Sequence, residues 1–290
     1  MKIDLHMHTN LSDGELSVEE LLNRLAVNNI SLFSITDHNH AKAYDYIENN
    51  RNMIIGTELT TSYKGVIIEI LGYKIDPKVI NNWFDDFYSD KNVKEKEIDL
   101  FENLKALANK LGYKIPQDLV MNEIVKGESK KVVYYYLKDK YKDFEFATYK
   151  AFFRQALSNP NSDWFINEGQ YYPDIKTVLD LIHQANGVAI LAHPHEYGLD
   201  NLNELYQYLQ DLGIDGIESV HPSASMKQSV EIVKYCEDNK LLSSGGSDFH
   251  RDSRLIPHGI NVHPQLLASS CFDWLGLNTS EKEVSNAIEI

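Results

Sequence analysis

The sequence predicts an α/β fold: a (β/α) barrel of parallel βαβ units with a helical subdomain inserted into it. Three observations predict this. Short apolar runs alternate with amphipathic helical stretches at both ends of the chain. From Asp76-Pro77 to about Ser162 the alternation stops, and the pattern becomes helical, charged and aromatic. Residue types that bind metals recur at the ends of the predicted strands. The barrel is therefore expected over 1–76 and 163–290, and the inserted helical subdomain over 77–162.

The first strand is Lys2 to His8, where Ile3, Leu5 and Met7 alternate with Asp4, His6 and His8. Residues two apart in a strand share a face, so His6 and His8 project together. Ser17 with Glu20 three residues on is a capping box opening a helix to about Asn29. Ser31 to Thr36 is an apolar strand with Asp37-His38 just past its end, and a short helix follows over Ala41 to Asn49. Met53 to Thr60 is a strand carrying Glu58. The turn Tyr63-Lys64-Gly65 returns the chain into Val66 to Tyr73, which carries Glu69. In the insertion, Val93 to Leu111 places Ile98, Phe101, Leu104, Leu107, Ala108 and Leu111 on one stripe. Pro116 opens a helix that Gly127 ends. Ser129 to Lys140 and Phe144 to Leu157 are further helices. Alternation then resumes. Asp174 caps a helix through Ala185, and Val188 to Ala192 is a strand ending in His193-Pro194-His195. Asn201 with Glu204 caps a helix to Leu212, and Asp215 to Val220 is a strand ending in His221-Pro222. Ser225 with Gln228 caps a helix to about Asn239, and Leu241 to Gly245 is a strand ending in Gly246-Ser247-Asp248-Phe249-His250.

A chain of 290 residues can bury a large core. Its formal net charge of -15 argues against non-specific binding to long nucleic acid, which rests on neutralising phosphates with Lys and Arg. It is compatible with a small anion held at a local cationic site. The two cysteines, Cys236 and Cys271, make no disulfide framework. The first strand begins at once, so no leader and a cytoplasmic, reducing location are expected. No apolar run is long enough to span a bilayer, and no membrane partner is expected.

At the C-terminal strand ends of a (β/α) barrel, His6, His8, His38, Glu58, His193, Asp248 and His250 would meet at one mouth, with Asp13 on the loop above and Glu69 joining if its strand neighbours that of Glu58. A carboxylate such as Glu58 can bridge two ions while imidazoles complete their shells. Two or more divalent ions close together suit hydrolysis of a phosphoester, one activating water and others binding phosphate oxygens.

These motifs carry a resemblance. His6-Met7-His8 with Ser12-Asp13-Gly14, Thr36-Asp37-His38, Glu58, Ala192-His193-Pro194 and Ser247-Asp248-Phe249-His250 resemble the PHP (polymerase and histidinol phosphatase) superfamily. The resemblance implies a distorted (β/α)7 barrel with two or three divalent ions (Mn, Zn or Fe). It makes His6, His8, Asp13, His38, Glu58, His193, Asp248 and His250 metal ligands, and Glu69 an expected ninth. The helical insertion is similar to that of the branch acting on small nucleotides, including nucleoside 3',5'-bisphosphates and short RNA ends. Two departures stand out. That branch commonly has His where this chain has Glu69. The extra carboxylate lowers the net charge of the site and predicts a shift toward oxygen-preferring ions such as manganese. The branch also carries an Arg and a His where this chain reads Glu128-Ser129-Lys130-Lys131. A lysine holds phosphate as a point charge, without the bidentate fork of arginine.

The expected reaction is in-line attack on phosphorus by a metal-bridged hydroxide. Asp248 is essential to it, and His193 or His195 protonates the leaving alkoxide. Substrate contacts are expected from Lys130, Lys131, His221, Arg251 and Arg254. His40, His183, His258 and His263 are read as structural or rim residues, and Trp83, Phe84, Phe87 and Phe101 as the core of the insertion. The substrate is expected to be a small phosphorylated molecule. Histidinol phosphate, a trimmed oligonucleotide, and a non-catalytic metal-stabilised interaction module are the other readings open at this point.

Overall fold

The first strand of the computed structural model, β1 (Lys2–Asp4), is shorter than its apolar alternation suggested. Beyond it the chain stays extended and buried, with Leu5 and Met7 fully enclosed. The structure describes residues 2–48, 51–119, 128–159, 161–251 and 260–277. The chain divides into two units: 1–63, 67–82 and 173–290 form the first, and 64–66 with 83–172 form the second.

The first unit holds the strands. Helix α1 (Val18–Val27) begins at Ser17, whose hydroxyl accepts from Glu20 N–H at 3.3 Å while Ser17 N–H donates to Glu20 at 2.9 Å, as the capping box requires. Its Leu21 and Leu25 pack with Met7, Phe33 and Phe249. Strand β2 (Leu32–Phe33) lies parallel to β1, and a short 3-10 turn over Lys42–Tyr46 stands where a helix was expected. Strands β3 (Gly56–Tyr63) and β4 (Val66–Tyr73) are neighbours joined through Lys64 and Gly65. Both residues have positive φ (50° and 82°), the conformation of a tight hairpin turn, and glycine takes it at no steric cost.

After helix α2 (Pro77–Phe87), the second unit contains α3 (Asp90–Lys110), α4 (Ser129–Lys140), and α5 (Tyr149–Ala151), which runs into a π-helical turn at Phe152–Leu157. It has its own core, including Leu100, Phe101, Leu104, Val133, Leu137, Phe144, Phe152 and Trp164. The buried stripe of α3 is rotated from the expected one. Ile98 is 41% exposed, whereas Glu97 is buried. Positions 97, 100, 101, 104 and 108 share the inner face, and Glu97 is satisfied there by the backbone N–H of Ser129 at 3.2 Å and by the Ser129 hydroxyl. Residues 144–148 are not helical. Of the helix expected from Pro116, residues 116–119 form coil and turn, and the remainder lies outside the described residues.

Back in the first unit, α6 (Ile175–Gln184), β5 (Val188–Leu191), α7 (Leu202–Leu212), β6 (Gly216–Val220), α8 (Met226–Asn239) and β7 (Leu242–Gly245) follow within a residue or two of the expected bounds. Asp174, Asn201 and Ser225 cap their helices as read. A final strand β8 (Ile260–Asn261) and helix α9 (Pro264–Leu267) complete the described chain.

The strands form two sheets. One has the order β2-β1-β8, and the other β3-β4-β5-β6-β7. Strands β5, β6 and β7 are parallel, as βαβ units demand. β4 runs antiparallel to β5, because the hairpin reverses it. Among the described residues no continuous ladder closes a ring. Isolated parallel bridges at Met7↔Phe249, Phe33↔Met53 and His38↔Glu58 extend the pairing beyond the strand ends. Among the described residues no helix is long and apolar enough to cross a membrane.

Candidate metal centre

The extension of β1 delivers His6 and His8. It is held by Leu5 N–H donating to the Gly245 carbonyl at 3.1 Å and His8 N–H donating to the Phe249 carbonyl at 2.9 Å. The same pairing places Asp248 and His250 beside them. Asp4 fixes this join: Ser247 N–H and its hydroxyl donate to the two Asp4 carboxylate oxygens at 2.8 and 2.7 Å. Gly246 permits it, since a Cβ there would come within 2.2 Å of His6 Cβ. Asp37, from the Thr-Asp-His motif, shapes the loop carrying Asp13. It accepts from Thr9 N–H and the Thr9 hydroxyl, both at 2.7 Å, and from the Ser12 hydroxyl at 2.6 Å. His38 and Glu58 face each other across their bridge, and Glu69 on β4 is positioned by its N–H donating to the Tyr197 hydroxyl at 3.0 Å.

All nine residues expected as ligands converge. Four overlapping groups offer donor atoms within 4.8 Å of one another: His8-Asp13-His38-His250, His6-His8-Asp248, His6-Glu58-His193, and His38-Glu58-Glu69. Glu58 lies at the centre. Its Oε1 is 3.1 Å from Nε2 of both His6 and His193. Its Oε2 is 3.2 Å from Nε2 of His8 and from Nδ1 of His38. Asp248 Oδ1 is 3.3 Å from His8 Nε2 and 3.3 Å from His250 Nδ1. Asp13 Oδ1 is 3.1 Å from His250 Nε2. Glu69 Oε2 is 3.2 Å from His193 Nε2.

These donors fit divalent cations. His6 Nε2, both ring nitrogens of His8, His38 Nδ1 and Glu58 Oε2 are buried without a hydrogen-bond partner. Such groups are costly unless something binds them. Imidazole and carboxylate donors facing common points are what Zn, Mn and Fe take. Without ions, protons stand in for them. Burial opposes charge on His6, but Glu58 and Glu218 outweigh it and hold the imidazole well above its usual range. Burial opposes charge on His8 too, yet Asp248 and Glu58 push it up to about 9. His193 is raised by Glu58 and Glu69 against its burial. The carboxylates answer in kind. Burial resists ionisation of Asp13, but His250, His38 and His8 draw it down to about 2. Glu58 and Asp248 are likewise depressed against their burial, Glu58 chiefly by His6 and His38, and Asp248 by His8 and His6.

The other expected site residues fall differently. His221 is buried, with Nδ1 2.7 Å from the Ser223 hydroxyl and Nε2 4.0 Å from Asp248 Oδ2. His195 belongs to no donor group. Its Nδ1 is 3.3 Å from Gln228 Nε2, and its Nε2 is buried without a partner. Burial lowers the pKa of both histidines. Lys130 is paired with Glu168 at 2.7 Å, and Lys131 with Glu128 at 2.9 Å. Arg251 is exposed. Arg254, like His258, lies outside the described residues. His40 Nε2 is 3.0 Å from the Leu11 carbonyl, and His183 pairs with Asp215 at 2.8 Å, both structural contacts.

Glu218 was not expected. This fully buried carboxylate on β6 lies 3.2 Å from His6 Nδ1 and accepts from His193 N–H at 2.8 Å. The available signal was a lone acid within the otherwise apolar and small run Gly216-Ile217-Glu218-Ser219-Val220.

Comparison with known proteins agrees with this geometry. The family model described as PHP domain matches residues 4–215. The chain is 26% identical over 272 residues to a 5'-3' exoribonuclease of Haemophilus influenzae, covering 90% of this chain and 94% of that protein. It is 24% identical over 261 residues to a 3',5'-nucleoside bisphosphate phosphatase of Chromobacterium violaceum, covering 86% and 87%. Among solved structures, an amidohydrolase from Chromobacterium violaceum with bound sulfate and no metal aligns with a TM-score of 0.63 at 22% identity. That alignment covers 90% of this chain and 92% of the other. The likeness shows a shared α/β fold.

Proposed function

The chain belongs to the PHP domain family and is a metal-dependent phosphoric-ester hydrolase; from that premise we propose that it hydrolyses a small nucleotide, a nucleoside 3',5'-bisphosphate or a short oligonucleotide. One observation carries the reading: four overlapping donor groups, two of them sharing Glu58, whose two oxygens face separate pairs of histidines. Relatives that process RNA from its 5' end or cleave a nucleoside bisphosphate support the substrate class.

Two or three divalent ions held by His6, His8, Asp13, His38, Glu58, Glu69, His193, Asp248 and His250 would supply an activated water and positive charge against the phosphate oxygens. The chain does the rest. Asp248 and Glu58 both face Nε2 of His6 and of His8. His195, outside every donor group and with a buried unpartnered Nε2, is the better of the two candidates to carry the leaving-group proton, leaving His193 to its donor group. His221 faces the substrate beside Asp248. Lys130 and Lys131 are each paired with an acid of their own unit, Glu168 and Glu128, and Arg251 is an exposed cation beside the motif residue His250. In this reading the two sheets are arcs of one distorted (β/α)7 barrel, residues 77–162 are its helical insertion, and the enzyme works in the cytoplasm.

The test is phosphate release by Mn²⁺-loaded protein from adenosine 3',5'-bisphosphate, a mononucleotide, a 5'-phosphorylated dinucleotide with coupled phosphatase, and histidinol phosphate. Turnover of the bisphosphate or the dinucleotide is expected. Turnover of histidinol phosphate alone would overturn the substrate class, and silence across the panel with metals bound would overturn the proposal.

A further inference from the structure

Neither the motifs nor the donor groups include Glu218, yet it touches two of the residues that build the site. Its side chain is fully buried. One oxygen lies 3.2 Å and the other 3.4 Å from His6 Nδ1. The latter oxygen also accepts the backbone N–H of His193 at 2.8 Å. An ionised carboxylate can only accept, so His6 must donate through Nδ1–H, and its Nε2 is left as the ligand atom. That atom is the one facing Glu58 at 3.1 Å, and it has no hydrogen-bond partner. His193 lies two residues past the end of β5 and sits at φ 19°, ψ 59°, outside both extended and right-handed helical backbone. The bond to Glu218 is what holds its N–H in that turn.

His6 and His193 come from strands far apart in the chain, but they share one donor group, His6-Glu58-His193. The same carboxylate from β6 therefore holds the imidazole of one member of that group and the backbone of the other. The residues of the group His8-Asp13-His38-His250 meet Asp13, Glu58, Glu69 and Asp248, and His250 Nδ1 lies 2.9 Å from the Asp248 backbone carbonyl. We infer that Glu218 is a positioning residue for the donor groups built on His6 and His193: it sets the tautomer of His6 and the backbone of His193, and so tunes the ion held with Glu58. The inference rests on the metal-dependent reading of the site. Carboxylates behind a metal-binding histidine raise its basicity and lock its orientation, and losing one costs about 10–100-fold in affinity.

The experiment is a Mn²⁺ titration of chelator-stripped protein, followed by paramagnetic resonance and by metal analysis after gel filtration, in wild type and Glu218→Gln. Glutamine keeps the volume but cannot accept from both donors with two anionic oxygens. The expected result is two classes of site in wild type, with the affinity of one weakened about 10–100-fold in the variant and the other unmoved. Equal titrations, or equal weakening of both classes, would overturn the inference. No binding in wild type would instead overturn the metal reading itself. A second measurement needs no variant at this position. In Zn²⁺-loaded wild type with ¹⁵N-labelled histidine, the resonance lost in His6→Asn is expected to carry its proton on Nδ1. A proton on Nε2 would overturn the assignment even if Glu218→Gln fails to fold.

Discussion

Single side chains here are legible when their type repeats with a spacing and illegible when they act alone. His6 and His8 share a strand face, so the period of two announced them. The motif residues Asp37 and Ser247 turned out to be buckles, holding Thr9 with Ser12 and Asp4 respectively. Glu218 has no spacing partner, and its role depends on a histidine 212 residues away. Asp248 combines both kinds of information. It sits at φ 51°, a left-handed conformation that Asn tolerates and most residues do not. Asp248→Asn is therefore expected to keep the fold and lose turnover by at least 100-fold, read by phosphate release beside circular dichroism. Asp248→Ala should lose about 1 kcal/mol of stability as well, on backbone grounds. Protonation gives a second prediction for the metal-free protein. His8 is raised from 6.5 to about 9, so the stability it contributes is complete below pH 6.5 and fades as pH rises through 9. Asp13 is lowered from 3.8 to about 2, so its contribution is complete above pH 3.8 and fades as pH falls through 2. Chelator-treated protein should therefore show its highest thermal unfolding midpoint between those limits, from pH 3.8 to 6.5. A midpoint that keeps rising from pH 7 to pH 10 would contradict the protonated network.

At the scale of elements, caps and turns were readable because each rests on local chemistry. The boxes at Ser17 and Ser225 form as their sequences require, and Lys64-Gly65 turns the hairpin. What the chain could not disclose locally is which face of a helix meets a neighbour. On α3 the difference of one position exchanged Ile98 for Glu97 at the inner face, because Ser129 offers Glu97 two donors. Strand β8, only two residues long, carries no periodicity at all. Packing between elements also yields a prediction. Any Cβ at Gly246 would lie 2.4 Å from His6 N as well as against His6 Cβ. Gly246→Ala should shift the first strand, cost about 1–3 kcal/mol in chemical denaturation, and lower bound metal. Unchanged metal content and stability would show that the strand yields more easily than this contact implies.

Over the whole molecule, the α/β class, the inserted helical stretch and the convergence of strand ends were all contained in the order of elements. The division into two sheets was not, because single bridges such as Met7↔Phe249 leave no trace in hydrophobic pattern. The two units have separate cores, and among the described residues every candidate metal donor belongs to the first. Metal addition should therefore slow amide hydrogen exchange around His6, Glu58, His193 and Asp248, and leave the centres of α3 and α4 unchanged. Equal protection in both units would mean that they are energetically coupled.

The Asp4–Ser247 buckle joins positions 243 residues apart. On the ribosome, where chains emerge from their N-terminus, the strand carrying Asp4 must wait for 243 further residues before that partner exists. Until then the strand carrying His6 and His8 lacks the residue that pins it. The order of manufacture thus makes the arrival of Ser247 and Asp248 the step that completes the candidate centre.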